Sequence, residues 1–168
     1  KKRSTVLACD DLSDKEVEVL IENLDISKLS ERDQQEVAGY YDTINLIGES
    51  YRDISVAESS IKHLHNTLMK HSTKDGHHKG NYKTITNRVE RREADGTKTP
   101  IFETTLPGLA TNEAMAKLVE WYNKDSSTHP LIRAAIFVYE FLSIHPFQDG
   151  NGRLSRLLAT LLLLKSGY

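Results

Sequence analysis

The chain has 168 residues, a length that suits one domain built around one core. Its formal net charge is −2, so it lacks the global positive field that would hold nucleic acid, and no direct nucleic-acid binding is expected. One cysteine, Cys9, excludes an internal disulfide framework and suits a reducing, cytoplasmic setting.

The opening segment KKRSTVLAC looks like a short secretion box, but Val6 to Cys9 is too brief for a signal core and Asp10 and Asp11 follow. The next pattern is helical. Ser13 and Glu16 form a capping box, and Val17, Leu20, Ile21 and Leu24 recur at helical spacing. A second helix is expected from Ser30 or Asp33 through Val37, Tyr40, Tyr41 and Ile44 to Ile47. A third is expected over Ser55 to His71, on Val56, Ile61, Leu64 and Leu68. Lys74-Asp75-Gly76 and Lys79-Gly80 then break the pattern. A β-hairpin is expected from a strand over Tyr82 to Val89, the turn Asp95-Gly96 and a strand at Ile101-Phe102.

Helices resume after Leu106-Pro107-Gly108. Thr111 or Asn112 is expected to cap a helix over Glu113 to Asn123. Pro130 suits the first position of the next helix, Leu131 to Ser143. Its Ile132, Ala135, Ile136, Tyr139 and Leu142 occupy more than one face, which implies a central position. A loop over His145 to Gly150 leads into a last helix, Asn151 to Lys165, with little polar surface. Its run Leu157 to Leu164 is far below the roughly 20 residues of a membrane span.

The loop HPFQDGNGRLSR, residues 145–156, concentrates chemistry. Gly-Asn-Gly at a helix N-terminus allows close backbone approach and presents free N–H groups and the helix dipole to an anion. Arg153 and Arg156 lie three apart on the first turns, as suits a polyphosphate. Asp149 beside that cradle is a natural Mg²⁺ ligand. His145, on a backbone stiffened by Pro146, is placed to take a proton from a hydroxyl near neutral pH. Phe147 reads as the anchor of the loop. A general base, a metal ligand, an anion hole and two cations together suit in-line attack on a nucleotide phosphate.

These residues match every specified position of H-P-F-x-[D/E]-G-N-G-R-x-x-R, so the chain resembles the Fic (filamentation induced by cAMP) family. The similarity extends to the helix carrying Ile61-Lys62-His63-Leu64-His65, the hairpin and the helices around the loop. The resemblance implies a mostly α Fic-type helical bundle with one β-hairpin flap, spanning residues 1–168 as a single domain. It implies transfer of AMP from ATP to Ser, Thr or Tyr hydroxyls of a protein target, with pyrophosphate released, and leaves open whether this chain is itself a target. His145 would be the base and Asp149 would hold Mg²⁺. Gly150, Asn151 and Gly152 would form the anion hole, and Arg153 and Arg156 would contact the outer phosphates. Residues 80–105 would be a flap clamping the target, entered through Tyr82, Lys83, Thr84 and Ile85, with Lys83 where relatives often carry Arg.

Many members carry an inhibitory helix, [S/T]-x-x-x-E-[G/N]. Residues 1–24 resemble that region, with Ser4 at the hydroxyl position, but Ala8 stands at the glutamate and Cys9 at the last position. The resemblance therefore implies a de-inhibited form. It also leaves room for a homodimer. The motif fixes phosphate chemistry but not the base, so a UTP, GTP or phosphocholine donor stays open, as does a nucleotide-binding module without catalysis. Two other clusters read as surface: His71, Asp75, His77 and His78 match no standard zinc spacing, and Arg88 to Glu93 mixes charge signs.

Overall fold

In the computed structural model, which describes residues 32–73, 78–92 and 96–168, apolar residues at helical spacing decide which faces meet. The described elements run α1 Arg32–Ser50, α2 Glu58–Leu68, β1 Arg88–Arg92, β2 Lys98–Glu103, α3 Leu109–Lys124, α4 Pro130–Ile144 and α5 Asn151–Lys165. The expected mostly helical fold with one hairpin is observed. The expected inhibitory segment with Ser4 and Ala8, the Leu12-Ser13 helix start, Lys74-Asp75-Gly76, His77 and Asp95 lie outside the described residues. None of the described helices is long and apolar enough to cross a membrane.

Helix α2 buries Ile61, Leu64, His65 and Leu68, one face at steps of three and four. It crosses α1 at Gly39, where a Cβ would stand 2.0 Å from the Leu68 carbonyl oxygen. Helix α3 buries Thr111, Met115, Leu118 and Tyr122. Helix α5 buries Leu154, Leu157, Leu158, Leu161 and Leu162 and packs along α4. Phe137, Phe141 and Phe147 are fully buried in the core these helices share.

Three local expectations are corrected. The first strand is Arg88–Arg92, not Tyr82 to Val89. Tyr82 and Lys83 are drawn into the core instead, and Thr84 and Ile85 form an exposed bend. Helix α3 begins at Leu109, ahead of the proposed caps, because Gly108 at φ 79° turns the chain directly into it. The Thr111 hydroxyl is buried and donates to the Leu106 carbonyl. On α4, the inward face is Ala134, Phe137, Phe141 and Ile144, while Ile132, Ala135, Ile136 and Tyr139 are exposed and Leu142 is half-buried. A helix rich in apolar residues all round cannot reveal its inward face by periodicity alone.

The hairpin pairs Arg88 with Glu103, Val89 with Phe102 and Arg92 with Lys98, with a bulge after Val89. Its strand side chains are largely exposed, so it is fixed at its root rather than along its length. Of the cluster expected to be surface, His71 is instead mostly buried, with its Nε2 2.9 Å from Oδ2 of Asp42 on α1.

The crossing at Gly39 gives a direct stability test. Gly39→Ala is expected to cost about 1–3 kcal/mol, since backbone and not a movable side chain fills the space. Gly48→Ala, with no atom within 4 Å of the added carbon, is expected to be neutral or stabilising by up to about 1 kcal/mol. Urea denaturation of the two variants checks the contrast; equal midpoints would contradict this packing.

Candidate active site

The loop between α4 and α5 must reverse the chain in six residues while staying against the core. His145 caps α4 in a left-handed conformation, φ 52° and ψ 59°, the one positive φ among the described non-glycine residues. Its N–H donates to the Phe141 carbonyl. Its Nδ1 lies 3.2 Å from the Leu142 carbonyl oxygen, so a neutral imidazole donates there and leaves the Nε2 lone pair free. Burial is the largest influence on its proton affinity and lowers it. The Leu142 bond and Asp149 act in the other direction, while the neighbouring Lys83 charge adds to the lowering. Burial thus favours the neutral imidazole, the form a general base needs.

Phe147 anchors the loop as expected. It is fully buried, stacks on His65 at 3.8 Å between ring centroids and meets Tyr82 edge-on at 5.3 Å. Asn151 closes the turn: its side chain accepts from Phe147 N–H at 2.9 Å and donates to Phe147 O at 2.7 Å. That side chain is therefore committed to shaping the loop, and only its backbone can face a ligand.

Gly150 is the N-cap of α5 at φ 79°. A Cβ there would stand 3.2 Å from Met69 Sδ and 3.4 Å from His65 Nε2, so conformation and space both require glycine. Gly152 differs, since a Cβ there would meet nothing within 4 Å. The first intrahelical bond of α5 runs from Leu154 N to Gly150 O. The amides of Asn151, Gly152 and Arg153 therefore point out of the helix start, with the positive end of its dipole.

Three side chains surround this anion-attracting end. Asp149 is about one-third exposed (36%); its Oδ1 accepts from Gly150 N–H and its Oδ2 lies 3.4 Å from Arg153. Arg153 is mostly buried between Asp149 and Glu36 of α1, the latter at 3.3 Å. Arg156 is exposed one turn further and makes no ion pair among the described residues. An oxygen-rich carboxylate partly open to solvent suits a hard cation that shares its shell with phosphate oxygens.

His65, Asn87 and Glu36 were not singled out from the sequence. His65 accepts from Gly80 N–H on Nδ1 at 3.0 Å, so Nε2 carries the proton and donates to the Asp149 carbonyl, also at 3.0 Å. Asn87 donates to the Phe147 carbonyl at 2.8 Å. Their partners lie 84 and 60 residues away, which no local spacing can signal. Of the expected flap residues, Tyr82 donates its hydroxyl to Glu58 and Lys83 lies beneath the loop. A groove of about 580 Å³ opens beside the hairpin root, lined by Thr104, Lys117, Trp121, Ile136, Glu140 and Ile144.

Comparison with known proteins shows the family and the fold. The sequence model of the Fic/DOC family matches residues 53–163. A protein named protein adenylyltransferase fic-1 from Caenorhabditis briggsae is 45% identical over 58 residues, 33% of this chain and 11% of the relative. Protein adenylyltransferase Fic from Drosophila willistoni is 48% identical over 56 residues, 32% of this chain and 11% of the relative. The chain thus spans a small part of these curated relatives. Among solved structures, a Fic-domain-containing signaling protein from Bacteroides thetaiotaomicron has a TM-score of 0.71 at 28% identity, covering 95% of this chain and 59% of the other. Fic-1 (aa134 - 508) from C. elegans has a TM-score of 0.69 at 25% identity, covering 95% and 45%.

The two loop glycines separate structure from ligand access. Gly150→Ala is expected to cost on the order of 1–3 kcal/mol. Gly152→Ala should leave stability unchanged or raise it by up to about 1 kcal/mol. Urea unfolding of both decides it, and a destabilised Gly152→Ala would mean that the protein's own packing uses that space.

Proposed function

This chain belongs to the Fic/DOC family, and from that premise we propose that it is a protein adenylyltransferase, moving AMP from ATP to a hydroxyl side chain of a protein. One observation carries the reading. A half-buried histidine whose surroundings favour its neutral form, with a free Nε2, and an anion-attracting helix start with two arginines are joined by a single six-residue loop. A module that only binds nucleotide has no use for the first of these.

The chemistry follows from the placement. The outward amides of Asn151, Gly152 and Arg153 receive phosphate oxygens, and Arg153 and Arg156 neutralise the polyphosphate. Asp149, with its partly exposed carboxylate, is the residue that would hold Mg²⁺, which supplies charge neutralisation to the phosphates when bound. The target hydroxyl oxygen attacks the α-phosphorus, and its proton passes to His145 Nε2. The bond from the α-phosphorus to the oxygen bridging the β-phosphorus breaks, and pyrophosphate carries away the electron pair. The proposed acceptors are protein targets with a Ser, Thr or Tyr hydroxyl. The root of the exposed hairpin stands beside His145, where an extended target segment can pair with a strand edge and present its hydroxyl.

The test is incubation with Mg²⁺ and α-labelled ATP, with UTP and GTP in parallel. Label is expected on protein from ATP, with His145→Ala reduced by at least about 100-fold. Label from another nucleotide alone would replace AMP as the transferred group, and none from any would overturn the reading. The pH profile adds a signed check. The neutral base is present above the His145 pKa, which burial lowers, so on the acid side the rate should fall with a midpoint below the ordinary histidine value of about 6.5. A midpoint well above that would place the working base elsewhere.

A further inference from the structure

Lys83 is fully buried, 2% exposed, whereas the other lysines among the described residues are partly or largely exposed. No carboxylate among the described residues pairs with it. Its Nζ instead lies 2.9 Å from Asn87 Oδ1, 2.9 Å from Thr104 Oγ1 and 3.0 Å from the Ile144 carbonyl oxygen. An ammonium has three protons for these three acceptors, and a neutral amine has only two. Its backbone N–H donates to the Pro146 carbonyl at 2.8 Å.

The acceptors sit at both ends of the hairpin and on both sides of the catalytic histidine. Asn87 precedes β1 and Thr104 follows β2, and the Thr104 hydroxyl lies 2.7 Å from Asn87 O. Ile144 and Pro146 flank His145. Asn87 also donates to Phe147 O and reaches His145 O at 3.5 Å. Two residues of the hairpin root thus cover four consecutive carbonyls, 144 to 147.

We propose that Lys83 is a positioning residue: its protonated amine latches the hairpin root to the loop that carries His145, and loss of that proton loosens the loop. This rests on the adenylyltransferase reading for its effect on rate, but not for the latch itself. Burial lowers the Lys83 pKa to about 8, which brings the latch into an accessible range. The titratable group facing it is His145, and its other partners, Asn87, Thr104 and the Ile144 carbonyl, carry no charge.

The first experiment needs no substrate. Nuclear magnetic resonance of the whole chain would follow the Lys83 Cε signal and the backbone amides of His145, Phe147 and Gln148 from pH 6.5 to about 10. The lysine should titrate near 8, and the amides should move with the same midpoint. Amides that stay still through the lysine titration, or a lysine that keeps its proton to about pH 10, would overturn the latch. In the transfer assay, kcat should fall above about pH 8 while KM for ATP stays level. Lys83→Arg, always charged, should keep kcat up at alkaline pH. Lys83→Met should be about 10- to 100-fold lower at every pH. A decline in Lys83→Arg identical to that of the parent, or a full-rate Lys83→Met, would overturn the proposal. Should a variant fail to fold, the resonance titration of the parent chain still decides. Absence of all transfer would count against the function alone and leave the latch to that titration.

Discussion

Burying a tight loop means hiding carbonyls that no helix or sheet satisfies, and each one left unpaired costs about 1–3 kcal/mol. The turn from α4 to α5 meets that demand with side chains brought from elsewhere. Lys83 and Asn87 take the carbonyls from Ile144 to Phe147, His65 takes that of Asp149, and Asn151 spans Phe147 from within. Phe147 fixes the depth of the loop, wedged between His65, Tyr82 and Phe141. The rest of the site inherits its geometry from this arrangement.

The left-handed backbone at His145 is one consequence. It is an unfavourable conformation for a non-glycine residue, held by the bonds on either side, with Nδ1 committed to the Leu142 carbonyl at the end of α4. A second consequence is that Gly150 opens α5 hard against Met69 and His65 while Gly152, two residues on, faces open space. The helix start is thus rigid behind and accessible in front, as an anion site requires. Glu36 and Asp149 hold Arg153 close, whereas Arg156 remains exposed, so the two arginines are not equivalent.

Most of the helical frame was legible from periodicity. Pro130 at a helix start and the loop over residues 145–150 leading into Asn151 appear as the sequence implies. The motif itself named the residues that now surround the α5 start. The sequence was silent or misleading where long-range contacts decide. Tyr82 and Lys83 carry strand-like neighbours, yet the need to cover the loop pulls them out of the hairpin and into the core. Ile132, Ile136 and Tyr139 look like core residues but lie on the outward face of α4, because Phe137 and Phe141 claim the inward one. His65 and Asn87 act through partners on the distant loop, and single-residue chemistry gave no sign of them.

The proposed function implies a division of labour, in which the α5 start holds the polyphosphate and His145 contributes to the chemical step and not to binding. Calorimetric titration of Mg²⁺-ATP into the parent chain, His145→Ala and Arg156→Ala tests it most directly. His145→Ala should bind as the parent does and Arg156→Ala about tenfold or more weakly, the loss of a charge-assisted contact of about 1.5–3 kcal/mol. Unchanged affinity in Arg156→Ala, or binding lost with His145→Ala, would contradict it.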